Sequence, residues 1–322
     1  MKLPTTPQGW AIHLSKLVKI FHEAHGLDRF PIKIASIATE YSRNVFPDAP
    51  ITKVEGLDLS AKLEGMLLPH PNGNGEWGII YNSSITSKGR INFTLGHELG
   101  HYLLHRHLSP EGFRCSSRDM LDWKSEHGQI EAQANMFASF LLMPLDDFRE
   151  QIRSQAITMA LMRHLSDRYE VSITAAILKW LGITDKRAMI VVSKDGFIDW
   201  AWGSKRLFKS GIYYRARQET VPLPELSLAA RRDPSIDAEI GFVHPKGVWV
   251  GNEEVNEMTV LAGKSDMAIT LLLYPNNGAN YLRLMPTHTP FGWTKPISAS
   301  IDGSRRAARE SSGNGTVSWR AR

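Results

Sequence analysis

The chain has 322 residues and a formal net charge of +5, and its length predicts two domains or more. The small positive excess argues against a dedicated nucleic-acid-binding protein, which concentrates its basic residues in one stripe. The single cysteine, Cys115, excludes an intrachain disulfide framework and is typical of a cytoplasmic protein, and we interpret it as an incidental residue.

The N-terminal part is predicted to be helical. Residues 1–7 lack the apolar core of a signal peptide, and no run in the chain approaches the roughly 18 apolar residues of a membrane span. Residues 8–46 predict two helices, separated at Phe30-Pro31, and residues 47–60 are predicted to be irregular. The first helix has one apolar face, formed by Trp10, Ile12, Leu14, Leu17, Ile20 and Phe21.

A β-hairpin is predicted between residues 63 and 83. Residues 63–71 and 76–83 have strand character, and the run 71–75 between them is Pro-Asn-Gly-Asn-Gly. Asparagine and glycine tolerate the positive φ angles that tight turns require. The apolar residues Ile79, Ile80 and Tyr81 of the second strand fit either a core strand or a strand that binds a peptide.

The motif His97-Glu98-Leu99-Gly100-His101 lies in a predicted helix over residues 91–107. His97 and His101 are one turn apart on one face, so both imidazoles can reach a single metal ion. Neutral imidazole suits zinc. Glu98 is rotated about 100° from His97 and lies beside the metal, where it can take a proton from a bound water. This spacing predicts hydrolytic chemistry at a metal.

Two glycines lie within the same helix. Gly96 and Gly100 are one turn apart, and each costs about 1 kcal/mol relative to alanine in a helix interior. We therefore expect another backbone to pass close to this side of the metal helix.

A third protein ligand is required, and two histidines near the motif are poor candidates. His105 continues the stripe, but on a straight helix it lies about 12 Å along the axis from His97. His107 has the spacing of the pattern H-E-x-x-H-x-x-G-x-x-H, in which a glycine turns the backbone back toward the metal. Leu104 stands where that glycine is needed, so the helix is expected to continue.

Glu131 is the better candidate for the third ligand. It lies in residues 129–144, which predict a second amphipathic helix that ends at Pro144. Small or polar residues flank it on the helical net and would allow close approach to the glycines of the metal helix: Ala134, Asn135 and Ala138. Glu126 and His127, in a predicted loop, are weaker alternatives.

Residues 65–144 resemble the ImmA/IrrE family of metallopeptidases. The similarity includes the hairpin, Arg90 before Phe93-Thr94, the run from His97 to His105, and Glu131-x-x-Ala134-Asn135-x-Phe137-Ala138 leading into Leu141-Leu142-Met143-Pro144. The resemblance implies an α+β, zincin-like domain, which we predict over residues 1–145. It also implies a gluzincin-type zinc site at His97, His101 and Glu131, with Glu98 as the catalytic residue.

The resemblance also implies a partner. Family members typically cleave a helix-turn-helix repressor and thereby switch on phage, mobile-element or stress genes, so a protein substrate of that kind is expected. In zincin folds a strand beside the metal helix offers its edge to an extended substrate, and we predict this role for residues 78–82. Residues 108–128 are polar and are predicted to form a loop that borders the cleft.

Residues 146–185 predict a helical segment that resembles a helix-turn-helix, with its second helix starting at Val171-Ser172. DNA binding through residues 157–182 is one alternative function. The second helix has Lys179 but few of the side chains that read bases, so we favour a packing or docking unit. A zinc-fold module that binds its partner without cutting it is the other alternative.

Residues 186–294 are predicted to form a mostly β C-terminal domain, because apolar residues alternate between turn residues. A sensor or regulatory role is one interpretation of this domain. Its ligand pocket would be lined by aromatic residues, although such residues more often form a core: Trp200, Trp202, Tyr213, Tyr214 and Trp249. Residues 295–322 are rich in serine, glycine and arginine and are predicted to be a flexible tail.

Overall fold

A computed structural model describes residues 2–60, 62–116, 126–216, 218–232, 238–262 and 266–276. The elements of the N-terminal part are α1 (Pro7–His25), α2 (Ile34–Val45), β1 (Ile51–Leu57), β2 (Leu63–Pro69), β3 (Trp77–Asn82), α3 (Lys88–His105), β4 (Phe113–Ser116), α4 (Glu126–Leu142) and α5 (Leu145–Ile152). Mixed helix and sheet confirm the α+β class. The predicted flexible tail lies outside the described residues.

The N-terminal sheet has the strand order β1-β3-β2-β4, in which β1 is parallel to β3 and the other pairs are antiparallel. The prediction that residues 47–60 are irregular is therefore wrong. Ile51 is 1% exposed and starts a strand that the charged residues Lys53 and Glu55 concealed in the sequence. The predicted loop over residues 108–128 is also partly wrong, since it contains β4 and the start of α4.

Residues 78–82 do not form a sheet edge, so this prediction is wrong. β3 lies between β1 and β2 and forms a ladder with each of them. Ile79 and Ile80 are almost fully buried, as in a core strand. Within the described part of the chain, β1 and β4 are the outer strands of this sheet.

The predicted apolar face of α1 is only half buried. Trp10 and Leu14 belong to the core, whereas Leu17, Ile20 and Phe21 are exposed. All buried residues of α1 lie between Pro7 and Ser15, so the helix continues beyond the elements that cover it. Helical spacing identified the face correctly, but it does not show where the covering partner stops.

The helix-turn-helix-like unit consists of α6 (Met159–Tyr169) and α7 (Ile173–Ile183), with Ser172 as the N-cap of α7. Residues 175–181 of α7 are all buried, so it has no exposed face with which to enter a DNA groove. Lys179 is itself buried, and its Nζ lies 3.7 Å from the centroid of the Phe140 ring and donates to the Ser139 carbonyl at 3.3 Å. The structure supports the packing interpretation over DNA readout.

The described C-terminal part contains a six-stranded antiparallel sheet in the order β7-β6-β5-β10-β9-β8. Its elements are β5 (Ala188–Lys194), β6 (Phe197–Gly203), α8 (Lys205–Lys209), β7 (Val221–Pro222), α9 (Leu228–Arg231), β8 (Phe242–His244), β9 (Val255–Leu261) and β10 (Met267–Leu273). The same buried cluster includes Leu14, Tyr169 and Ile190, so one core joins the sheet to the helices. The domain boundaries at 145 and 185 stay predictions.

The aromatic residues predicted for a ligand pocket are distributed over separate environments. Trp200 belongs to the core that the sheet shares with the helices, and Trp249 belongs to a second core on the opposite face, against which Tyr214 packs. Trp202 and Tyr213 are 42% and 40% exposed. Among the helices that the structure describes, none combines the length and apolar character needed to cross a membrane.

Candidate metal centre

The helix that contains the motif is anchored at its N-terminus. Ser87 caps α3, and its hydroxyl accepts a hydrogen bond from the backbone N–H of Arg90. Arg90 also forms an ion pair with Glu64 of β2 at 2.6 Å. A Cβ on Gly89 would meet the carbonyl carbon of Val171 at 2.7 Å, so α3 begins against the turn between α6 and α7.

Two of the three glycines of α3, Gly96 and Gly100, face α4, as predicted. A Cβ on Gly100 would lie 3.1 Å from the Cα of Ala134, and one on Gly96 would lie 3.3 Å from the Cβ of Ala138. Glycine therefore allows α4 to approach α3 more closely than a side chain would. This close packing brings Glu131, one turn before Ala134, next to the motif.

His97, His101 and Glu131 form a buried cluster whose candidate ligand atoms all lie within 4.8 Å of one another. The Nε2 atoms of the two histidines are 2.9 Å apart. The Glu131 carboxylate lies 3.1 Å from Nε2 of His97 and 3.3 Å from Nε2 of His101. Two imidazoles and one carboxylate are a donor set that fits a zinc ion with one position left open.

Glu131 supplies the negative charge of this cluster. Burial opposes the ionisation of His97, but hydrogen bonding to Glu131 and its charge raise the pKa of His97 to about 9. Burial and the neighbouring charge of His97 lower the pKa of His101 to about 4. Burial alone would raise the pKa of Glu131, yet both histidines hold it well below its usual range, so the carboxylate is anionic.

Hydrogen bonds at Nδ1, the ring nitrogen that faces away from the cluster, orient the two imidazoles. Nδ1 of His97 lies 2.9 Å from Oδ1 of Asn135, and Nδ1 of His101 lies 3.2 Å from Nδ1 of His105. Phe113 of β4 stacks on the His101 ring with a centroid distance of 4.5 Å and an interplanar angle of 14°. Sequence reasoning proposed none of these partners, because contacts across elements are not visible in a local spacing.

Glu98 is fully buried, and its carboxylate lies against β2. A Cβ on Gly65 would stand 2.8 Å from Oε1 of Glu98 and 2.5 Å from Cγ2 of Thr94. Gly65 therefore provides the space that the Glu98 carboxylate occupies. A glycine inside a predicted strand was the available signal for this close approach.

Two of the alternatives for the third ligand, His105 and His107, lie outside the cluster. His105 is buried beside His101 but outside the cluster of ligand atoms, and His107 is exposed, as expected of a helix that runs on past Leu104. The side chains of Glu126 and His127 lie outside the described part of the structure.

Two histidines one turn apart on α3, joined by a carboxylate from α4, define a metallopeptidase-type site. The family model of peptidase M78, described as the IrrE N-terminal-like domain, matches residues 57–180. This part of the chain therefore belongs to the ImmA/IrrE family, which confirms the resemblance.

The chain is also similar to a Mycobacterium tuberculosis transcriptional regulator of known structure. The two share 15% sequence identity and a TM-score of 0.46, over 81% of this chain and 76% of that chain. A similarity at this level assigns neither fold nor function. No curated protein matches the sequence.

Proposed function

We propose that the chain is a zinc-dependent endopeptidase with a zincin-like N-terminal domain. The observation that carries this proposal is the convergence of His97, His101 and Glu131 from two helices, with their ligand atoms within 4.8 Å of one another. These three residues would hold the ion, and Glu98 would act as the catalytic base. The family assignment of residues 57–180 supports the same chemistry.

Each residue has a distinct task in peptide hydrolysis. A zinc ion held at this site would lower the pKa of a water molecule and polarise the scissile carbonyl. The Glu98 carboxylate accepts the proton that the water loses as its oxygen attacks the carbonyl carbon. Glu98 then delivers this proton to the amide nitrogen as the C–N bond breaks, which leaves a free amine and a carboxylic acid.

β4 is the sheet edge that we propose for the substrate. Phe113 stacks on His101, so this edge lies beside the candidate metal centre. An extended peptide can pair with β4, the outer strand of the described sheet, as an additional strand. The opposite edge, β1, has an ion pair between Lys53 and Glu55 at 2.7 Å, and charged residues of this kind discourage strand addition.

We further propose that the substrate is a specific protein partner, a helix-turn-helix repressor, and that its cleavage relieves repression in the cytoplasm. This choice of partner rests on the family, whose members act in this way. The single cysteine supports a reducing compartment. In this proposal residues 186–294 form a regulatory domain on the helices that support the site.

The test uses the wild type and Glu98→Gln, each with its bound zinc quantified. Both proteins are incubated with purified helix-turn-helix repressors, beginning with any that is encoded beside this gene, and intact masses are followed. Cleavage by the wild type alone, at equal zinc content, supports the proposal. Cleavage by both proteins would refute the role of Glu98, and a stable uncut complex with both would favour a binding module.

A further inference from the structure

His105 is a buried histidine whose two ring nitrogens have different partners. It lies on α3 one turn after His101 and is 3% exposed. Its Nδ1 is 3.2 Å from Nδ1 of His101, and its Nε2 is 3.2 Å from Oε1 of Gln133 on α4. The three side chains form a chain of contacts that leads away from the candidate metal centre.

The directions of these hydrogen bonds follow from the use of His101 as a ligand. A nitrogen that binds a metal uses its lone pair, so a neutral imidazole must hold its proton on the other nitrogen. Nε2 of His101 faces His97 and Glu131, which leaves the proton on Nδ1. That N–H donates to Nδ1 of His105, and His105 must then hold its own proton on Nε2 and donate it to the amide oxygen of Gln133.

We propose that His105 and Gln133 are positioning residues that hold His101 in its metal-binding tautomer. This inference rests on the proposed metal site. The other histidine ligand uses a simpler arrangement, because Nδ1–H of His97 donates directly to the amide oxygen of Asn135 at 2.9 Å. An amide oxygen is always an acceptor, whereas an imidazole nitrogen accepts only in one tautomer. The tautomer of His101 therefore depends on Gln133 as well, because Gln133 fixes the tautomer of His105.

The protonation pattern can be measured directly by long-range ¹H–¹⁵N NMR on the zinc-loaded protein with labelled histidine. We expect His101 to be protonated at Nδ1 and His105 at Nε2. Substitutions of single histidines assign the signals. A proton on Nδ1 of His105 would overturn the proposal, because that nitrogen could then not accept from His101.

Variants test the consequence for metal binding. His105→Leu removes the acceptor and is expected to weaken zinc affinity about 10–100-fold, the usual loss when a hydrogen-bond partner of a ligand is removed. His105→Asn places a carbonyl oxygen near the position of Nδ1 and is expected to restore most of the affinity. Gln133 is exposed, so Gln133→Leu should fold normally and weaken affinity about two- to tenfold.

His107→Leu is the matched control, since His107 is an exposed histidine outside the cluster, and its zinc affinity should equal that of the wild type. Zinc affinity is read by competition with a chelator, and far-UV circular dichroism checks folding. If His105→Leu folds and binds zinc as tightly as the wild type, the inference is overturned. This holds even if cleavage by the wild type depends on Glu98. The expected tautomers without any cleavage would instead leave the inference intact and refute the proposed function.

Discussion

Gly100→Ala tests whether the close packing of α3 and α4 sets the geometry of the metal centre. The added Cβ would stand 3.1 Å from Cα of Ala134 and 3.0 Å from Cδ1 of Phe137. Non-bonded carbon atoms prefer about 3.5–4.0 Å, so α4 must move away by about 0.4–0.9 Å. Glu131 lies one turn from Ala134 and moves with it, whereas metal–ligand distances tolerate only about 0.2 Å.

Two opposing contributions determine the stability of this variant. Alanine favours the helix by about 1 kcal/mol over glycine, and overpacking of a core costs about 1–3 kcal/mol. The net change in unfolding free energy is therefore small, about 0–2 kcal/mol of destabilisation. The loss of zinc affinity should be larger, about 10–100-fold. This is the loss that is usual when a hydrogen-bond partner of a metal ligand is removed.

Gly96→Ala is the matched control for this experiment. Its Cβ would meet Cβ of Ala138 at 3.3 Å, which requires a smaller shift two turns away from Glu131. Zinc affinity by chelator competition and thermal unfolding of the zinc-free protein should be measured for both variants. Equal zinc affinity in Gly100→Ala and the wild type would show that the approach of α4 does not position Glu131.

Three further substitutions test other parts of the site and core. Gly65→Ala should displace the Glu98 carboxylate and lower the cleavage rate at least tenfold while zinc content stays normal, measured by peptide cleavage and metal analysis. His101→Ala should lose both zinc and cleavage, and a variant that retains either would contradict the assigned ligand set. Lys179→Met isolates the contribution of one buried amine to stability, because burial lowers the pKa of Lys179 to about 7. Between about pH 7 and 10.5 the Lys179 amine binds its proton more tightly in the unfolded chain, so the unfolding free energy of the wild type should rise with pH relative to that of Lys179→Met in urea titrations.

Short-range spacing was sufficient for the parts of the site that lie on one helix. The i and i+4 positions of His97 and His101 follow from helix geometry alone, and the structure brings both rings to one cluster. Glu131 was selected because small residues lie one and two turns after it, opposite the glycines of α3. Steric complementarity between two helices was therefore readable from the sequence.

The sheet could not be predicted as well, because its order depends on pairing between distant segments. β1 is parallel to β3 and reaches it only after the intervening β2, so the pairing has no local signal. Its sequence mixes Lys53, Glu55 and Gly56 with apolar residues, which hides the strand. Because β1 was not predicted, β3 was assigned to the edge of the sheet and was wrongly proposed as the strand that binds the substrate.

The role of the helix-turn-helix-like unit follows from its contacts rather than from its pattern. The turn between α6 and α7 lies against Gly89, and Asn92 of α3 donates to the backbone carbonyl of Glu170 in that turn at 3.4 Å. α7 is buried on all sides, and Trp180 lies in the core that extends to the C-terminal sheet. The unit thus packs against the start of the helix that contains both histidines on one side and against the core that extends to the C-terminal sheet on the other.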